Sequence, residues 1–444
     1  MSPATAPSFA RHDVPESAYF QWRGGVLHCD GVSLESIARG VDTPTFVYSG
    51  RAVDDAYMAV SSSADKVGAR ATLVAYAIKA NGNLALLRRL ALLGCGADIV
   101  SEGELARALR AGIPAERIVF SGVGKRDREL VAALDAGIRA IHVESAAEIH
   151  AIEAIAKERR QVATLALRVN PNVDAATHPY IATGLHDTKF GLEIPVAREL
   201  LTTIVQSDYL RLEGVACHIG SQLETVAPLR EAVEILASFA DECRHAGAPL
   251  VSVDVGGGWP MEYGSEESPF PSHDAFGEAI AAGFRDARVD VGDYDLITEP
   301  GRALVGSAGA LLTRVVFVKE QGGHRFVIVD GAMTELIRPA LYEAYHAVAP
   351  VRPRDGEPVA MDVVGPVCES GDFFALGRRI TPVERGDLIA IMGAGAYGRE
   401  MSMTYNARPA AAEVLCEDGA MTSIRTRAPM ESLWAGEPEA EPVP

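Results

Sequence analysis

A repeated unit, an apolar strand followed by an amphipathic helix, constrains this chain more than any other feature of its sequence. Apolar strands read at 72–79, 97–101, 117–122, 140–144, 164–170, 213–219, 251–256 and 295–299. Between them apolar residues recur at helical spacing, as in Asn83 to Leu93 and Glu102 to Ala111. Gly94, Gly112 and Gly137 follow helices, where C-caps favour glycine. Eight such units over about 230 residues predict a (β/α)8 TIM barrel. An open doubly wound sheet is the alternative. Its Gly-rich phosphate turn is missing after the first strand, where Lys79-Ala-Asn-Gly82 stands instead.

The pattern changes on either side of the barrel. Residues 1–17 are rich in Ser, Pro and Ala and read as disordered. Gly25 to Gly31 reads as a short hairpin, and 18–46 as N-terminal strands that pack on a second domain. Thr43-Pro-Thr-Phe-Val-Tyr48 reads as a strand leading into a helix from Arg51 to about Val67. The barrel is assigned to 47–306. After it, short strands at 311–319, 325–330, 359–364, 387–392 and 413–416 predict an all-β domain of sandwich or barrel type over 307–435. The acidic, Pro-rich stretch 436–444 reads as a disordered tail.

Composition narrows the partners. Across 444 residues the formal net charge is -19, which argues against nucleic acid and anionic membrane. The chain has no apolar run of about 18 residues to span a bilayer. Its start, Met1-Ser-Pro-Ala-Thr-Ala-Pro7, lacks the basic and apolar regions of a signal peptide. Six cysteines are scattered without a CxxC pair or ligand-like spacing, so no metal site is expected and the reducing cytoplasm is the expected location.

Chemistry is read from the strand ends, where barrels of this kind place their catalytic groups. Val74-Ala-Tyr-Ala-Ile-Lys79 closes an apolar strand on a lysine. With its stem buried, such an amine loses its charge readily and becomes the nucleophile that makes Schiff bases. A surface lysine at a strand end is the plainer alternative. The other ends carry Asp98 with Ser101, Glu144, Arg168 with Asn170, His218-Ile-Gly-Ser-Gln222, Gly256-Gly-Gly258 and Glu299-Pro-Gly-Arg302. Three glycines let backbone amides approach a phosphate. Glu299 can face a heteroaromatic nitrogen, and His218 can lie against a flat ring. A lysine, phosphate-binding amides and a carboxylate for a ring nitrogen are the three needs of pyridoxal 5'-phosphate.

The chain also resembles a known family. Tyr76-Ala-Ile-Lys-Ala-Asn81, Asp98-Ile-Val-Ser-Glu-Gly-Glu104, Lys189-Phe-Gly191, His218 to Gln222, Gly256 to Gly258 and Glu299 to Arg302 are similar to motifs of the fold-type III pyridoxal-phosphate decarboxylases. Arg338-Pro-Ala-Leu-Tyr342, Gly365-Pro-Val-Cys-Glu-Ser370, Gly395-Ala-Tyr397 and Tyr405-Asn-Ala-Arg-Pro409 extend the resemblance, which runs from about residue 45 to 415. Gly82 stands where the family more often has Ser, and Glu102 where it has Gly.

The resemblance implies roles. Lys79 is expected to hold the cofactor through its amine and Glu299 to keep the pyridine nitrogen protonated. His218 is expected to stack on the ring. Gly256, Gly257 and Gly258, the backbone of Glu299, Pro300, Gly301 and Arg302, Tyr397 and Ser221 are expected around the phosphate. Cys368 is the expected proton donor. Arg302, Arg338, Tyr342, Tyr397 and Glu369 are expected to hold the substrate, the arginines gripping a far carboxylate bidentately and Glu369 taking an ammonium. Two arginines in one pocket suit a substrate with two carboxylates, and the resemblance implies meso-2,6-diaminopimelate, with L-lysine and carbon dioxide as products. The alternatives are another amino acid of the ornithine, arginine or lysine type, a racemase of the same broad fold, and a relative without catalysis. A homodimer with shared active sites is implied as well.

Overall fold

The computed structural model describes residues 17–174, 189–265 and 269–437. Of the two stretches read as disordered, 1–16 and 438–444 lie outside these residues. The chain divides into two compact units. Within the described residues one holds 53–174, 189–261 and 269–305, and the other holds 17–52, 262–265 and 306–437.

In the first unit eight parallel strands close into a ring. Around it run Ala163–Asn170, Leu210–Ala216, Ser252–Asp254, Asp295–Thr298, Ala71–Ala77, Gly96–Ile99, Ile118–Phe120 and Ala140–Val143, which pairs again with Ala163–Asn170. Closure leaves the ring of eight strands without a free edge of its own. Leu73, Ala75, Val119 and Ile297 form one buried cluster from three of these strands. Outside, Leu86, Leu87 and Leu90 bury one face of the helix Leu84–Leu92. Each such side chain is worth about 1.5–3 kcal/mol of burial.

Three of the loops after the strands are short because polar residues start the next helix at once. Asn83 accepts from the Ala85 amide, Ser101 from Glu104 and Ser145 from Glu148. At the opposite ends Gly112 and Gly137 take the left-handed C-cap conformation that their positions favour. All eight expected strands are present. Two are displaced in a way that matters for the site. The first ends at Ala77, and Ile78–Ala80 is a single 3-10 turn. The strand expected at 213–219 spans Leu210–Ala216, and the Cys217 amide makes its last sheet bond to Asp254 O. His218 therefore stands in the loop.

The second unit is a mixed sheet. Its path is Phe373–Ile380, Val359–Val364, His324–Val329, Gly309–Gln321, Thr45–Ser49, Ala412–Glu417 and Ala420–Arg425, and Leu388–Met392 pairs with both Gly309–Gln321 and Val348–Pro350. Gly25 to Gly31 is not a hairpin but the middle of a small three-stranded sheet, with Val26–Cys29 between Phe20–Arg23 and Val32–Ser33. Both turns use positive φ, at Gly24 and Gly25 and at Asp30 and Gly31, so each end of the short strand reverses. Phe20, Leu27, Cys29, Leu34 and Ile37 pack with Val47, Leu312, Ala349 and Ala390 in one core. Every residue of Thr45–Ser49 is buried inside the sheet. The units accordingly divide at Ala52, beyond the sequence-based boundary at 46.

Candidate active site

Lys79 sits on the 3-10 turn between buried Ile78 and Ala80. Its side chain is 43% exposed, whereas the sequence reading had its stem buried. The reason is local: a residue on a turn past the strand points out of the barrel mouth and not into its wall. Lys79 Nζ lies 3.3 Å from Oδ2 of Asp98, a carboxylate fully buried at the end of the next strand. The turn itself is braced by Tyr76, whose hydroxyl donates to Asn81 O at 3.0 Å, and by Arg107, which donates to Gly82 O at 2.7 Å.

One side of the mouth is cross-linked by Glu144. Its Oε1 accepts from the Gly122 amide at 2.8 Å and from Arg168 Nη1 at 2.9 Å, and its Oε2 accepts from the Gly191 amide at 3.0 Å. The Arg168 guanidinium also lies over the Phe190 ring. The Lys189-Phe-Gly191 motif thus serves to tie a loop to the strand end.

Opposite stand the glycines. A Cβ on Gly257 would lie 2.6 Å from Glu299 O, and one on Gly258 3.0 Å from Gly220 O. Only glycine lets this loop lie so close to its neighbours. The amides of Gly256 and Gly257 are committed internally, to Asp254 Oδ1 at 2.9 Å and to His218 Nδ1 at 3.1 Å. With no side chains, these glycines also leave the cradle open. Since His218 Nδ1 accepts, its ring carries the proton on Nε2. Burial holds this imidazole well below its ordinary pKa, with Lys79 and Arg168 adding to the effect, so it is neutral.

Glu299 closes the next strand, and its amide donates to Gly256 O at 2.7 Å. Burial raises its carboxyl well above the usual range, and Asp254 and Asp98 raise it further against Lys79 and Arg168. Pro300 O accepts from the Ala77 amide at 3.1 Å, which joins this segment to the lysine strand. Arg302 is buried at the start of a four-residue helix and donates to Ser221 Oγ at 3.3 Å. Lys79, His218, Ser221, Gly256 to Gly258 and Glu299 to Arg302 are thus all gathered at one end of the barrel.

The remaining candidates lie in the second unit. Arg338 is buried, donates to His346 Nε2 at 2.9 Å and lies over the Tyr263 ring. Cys368 is exposed, and its amide donates to Asn406 Oδ1 at 2.9 Å. Asp372 organises the same loop by accepting from the Val367 amide at 2.7 Å and the Met333 amide at 2.6 Å. Glu369 accepts from Gly371 within its own turn. Tyr342 and Tyr397 are half-buried, and Tyr397 holds a left-handed backbone at φ 56°.

Sequence reasoning passed over His142, Asp254 and Ser121. His142 Nδ1 is 3.6 Å from Glu299 Oε1 and its Nε2 is 3.7 Å from Asp254 Oδ2. The sequence holds only a faint trace of them, since Asp254 shares the run Val251 to Val255 with a second polar residue, Ser252.

Pyridoxal phosphate fits these residues. An amine is presented on a turn, a neutral imidazole lies beside a side-chain-free cradle, and a buried carboxylate faces the same space with no basic side chain fixed on it at hydrogen-bond distance in the described residues. Fold and site together define a barrel enzyme of pyridoxal-phosphate chemistry. Residues 56–306 match the pyridoxal-binding domain of the pyridoxal-dependent decarboxylases. A diaminopimelate decarboxylase of Aquifex aeolicus is 43% identical over 410 residues, covering 92% of this chain and 95% of the relative. One from Pseudomonas fluorescens is 44% identical over 94% of this chain and 98% of its own length. Among solved structures, the diaminopimelate decarboxylase of Helicobacter pylori complexed with L-lysine is 39% identical, with a TM-score of 0.86 over 91% of this chain and 98% of that one. The chain belongs to the diaminopimelate decarboxylase family of pyridoxal-dependent decarboxylases.

Proposed function

We propose that the chain removes one carboxylate of meso-2,6-diaminopimelate to give L-lysine and carbon dioxide, the last step of lysine synthesis. The observation that carries this reading is Lys79 on its exposed turn beside Asp98, at the strand ends that also hold Glu299. End-to-end likeness to relatives named for that reaction supports the substrate.

Bound pyridoxal phosphate supplies an electron sink for the pair left when carbon dioxide departs. The chain's own groups do the rest. Asp98 orients the Lys79 amine, the group that would hold the cofactor and later yield its place to the substrate's amine. Glu299 supplies negative charge to the ring nitrogen. Neutral His218 would lie against the cofactor's ring without adding positive charge. Ser221, the loop Gly256 to Gly258 and the backbone of Glu299 to Arg302 would surround the phosphate, joined by Tyr397. Arg302 and Arg338, with Tyr342 and Tyr397, hold the far carboxylate, and Glu369 holds the far ammonium. The Cys368 thiol gives the proton to the carbon that lost its carboxylate. Two copies form a homodimer in which each supplies Cys368 and Glu369 to the other's site. All six cysteines are free thiols, which supports a cytoplasmic location. No helix of the described residues is long and apolar enough to cross a membrane.

The test is carbon dioxide release by the pyridoxal-phosphate-loaded protein, with meso-diaminopimelate, L-ornithine, L-lysine and L-arginine side by side. Release from diaminopimelate alone, with lysine as product, is expected. Preference for a basic amino acid would overturn the roles of Arg302, Arg338 and Glu369.

A further inference from the structure

Beneath the barrel mouth, His142 stands between the buried carboxylate of Asp254 and the mostly buried one of Glu299, which no step above uses together. On one side its Nδ1 lies 3.2 Å from Ser121 Oγ, which is itself 3.5 Å from Glu299 Oε1. On the other its Nε2 faces Asp254 Oδ2 at 3.7 Å. Among the described residues neither that Nε2 nor that Oδ2 has a hydrogen-bond partner, and both atoms are buried. Leaving such atoms unpaired costs about 1–3 kcal/mol each, a cost removed when they share a proton. The other oxygen of Asp254 accepts from the Gly256 amide, so the carboxylate is held in place.

We propose that Ser121 and His142 connect Asp254 to Glu299 as a one-proton relay, with Asp254 storing the proton that Glu299 gives up to stand as an anion. The proposal rests on the reading that Glu299 faces the cofactor's ring nitrogen. In one state Glu299 Oε1–H donates to Ser121 Oγ, Ser121 donates to His142 Nδ1, and His142 Nε2–H donates to ionised Asp254. In the other state every bond runs in reverse. The proton of Glu299 has passed to Ser121, that of Ser121 to Nδ1, and that of Nε2 to Asp254. Three bonds to hydrogen break and three form. The imidazole changes tautomer without gaining charge, and the net result is one proton moved from Glu299 to Asp254. A positive charge opposite Glu299 favours the second state.

The surroundings support a neutral ring between two carboxyls that share a proton. Burial, with Lys125, Arg168 and Arg139 adding to it, pushes His142 down to about 3. Burial pushes Asp254 up to about 7, and Asp98 adds to that. Around Glu299, Asp98 opposes its ionisation while Lys79 and Arg168 favour it. Cys217, held at about 12 by its burial, takes no part in the exchange. Carboxyl groups this close in a dry site titrate as a pair.

Two readouts on the holoenzyme test the relay. The first is nitrogen NMR of 15N-histidine-labelled wild type, with the His142 signals assigned by their loss in His142→Asn. A neutral ring protonated on Nδ1 is expected across about pH 6–9, the range in which an ordinary histidine changes charge. A ring protonated on Nε2, or an imidazolium, would overturn the proposal. The second is the pH dependence of kcat and of cofactor absorbance in the variants. His142→Asn lowers kcat about tenfold with KM within about twofold, the pattern of an interaction felt at the chemical step. Asp254→Asn keeps a fixed donor opposite Nε2 and flattens the pH dependence of the absorbance. Wild-type pH profiles in both variants would overturn the relay. A Glu299→Gln variant that keeps its kcat and cofactor absorbance would instead overturn the placement of Glu299. Loss in Glu299→Gln, with unmoved profiles in the other two, overturns the relay alone.

Discussion

Single side chains set the pH behaviour of the barrel. The Asp254 carboxyl is pushed from its ordinary 3.8 up to about 7, chiefly by burial. A raised folded-state pKa stabilises the fold fully below 3.8, and that contribution is lost as pH rises through about 7. His142, lowered from 6.5 to about 3, works in the opposite direction: its contribution is present above 6.5 and is lost as pH falls towards 3. On the alkaline side the ionised Asp254 therefore carries the penalty. Asp254→Asn is expected to raise the Tm of cofactor-free protein by at least about 2 °C at pH 8, with the gain shrinking towards pH 5 in calorimetry. A constant gain at both pH values would contradict the assignment. At Cys368 the expectation is kinetic. Cys368→Ala should lower turnover by about a hundredfold or more while cofactor absorbance stays as in wild type. Near-normal lysine formation by that variant would remove Cys368 from the role of proton donor.

At the scale of elements, the glycine loop and its neighbouring strand fit each other without room to spare. Gly257→Ala brings a methyl group to 2.6 Å from Glu299 O, a backbone atom that cannot swing aside. A cost of about 1–3 kcal/mol is expected, read as a drop of several degrees in the Tm of the barrel. An unchanged Tm would mean that the loop relaxes. Much of this site was legible in the residues because each apolar strand ends abruptly in polar ones. Lys79, Gly256 to Gly258 and Glu299 stand just past such runs. His142 and Asp254 were not legible, since both lie within strands, where a polar residue reads as an incident of the core. Hydrophobic periodicity marks which residues are buried. It does not say that three strands distant in sequence will bring His142, Asp254 and Glu299 together, because the closure of the ring decides that. The same limit explains the shifted strand before His218 and the small three-stranded sheet, whose turns depend on positive φ at Asp30 as much as at its glycines.

At the scale of the whole molecule, the proposed exchange of Cys368 between copies has a numerical consequence. Lys79→Ala and Cys368→Ala proteins, each inactive, are mixed after dissociation and allowed to reassociate. Half of the random dimers are mixed, and each mixed dimer has one site with both groups intact. About a quarter of wild-type activity should return. If each copy instead used its own Cys368, mixing would restore nothing.

The strand Thr45–Ser49 lies between Gly309–Gln321 and Ala412–Glu417, so the earliest strand of the mixed sheet is flanked by two of its later ones. During synthesis on the ribosome the barrel segment is complete once Val305 has emerged. Thr45–Ser49, by contrast, must wait for more than a hundred further residues before its parallel neighbour exists. The nascent chain therefore folds from its middle outwards, with one edge of an apolar strand left unpaired until translation is nearly finished. A premature stop before Ala412 would leave an intact barrel attached to an aggregation-prone edge, which makes the last strands a checkpoint for protein quality control.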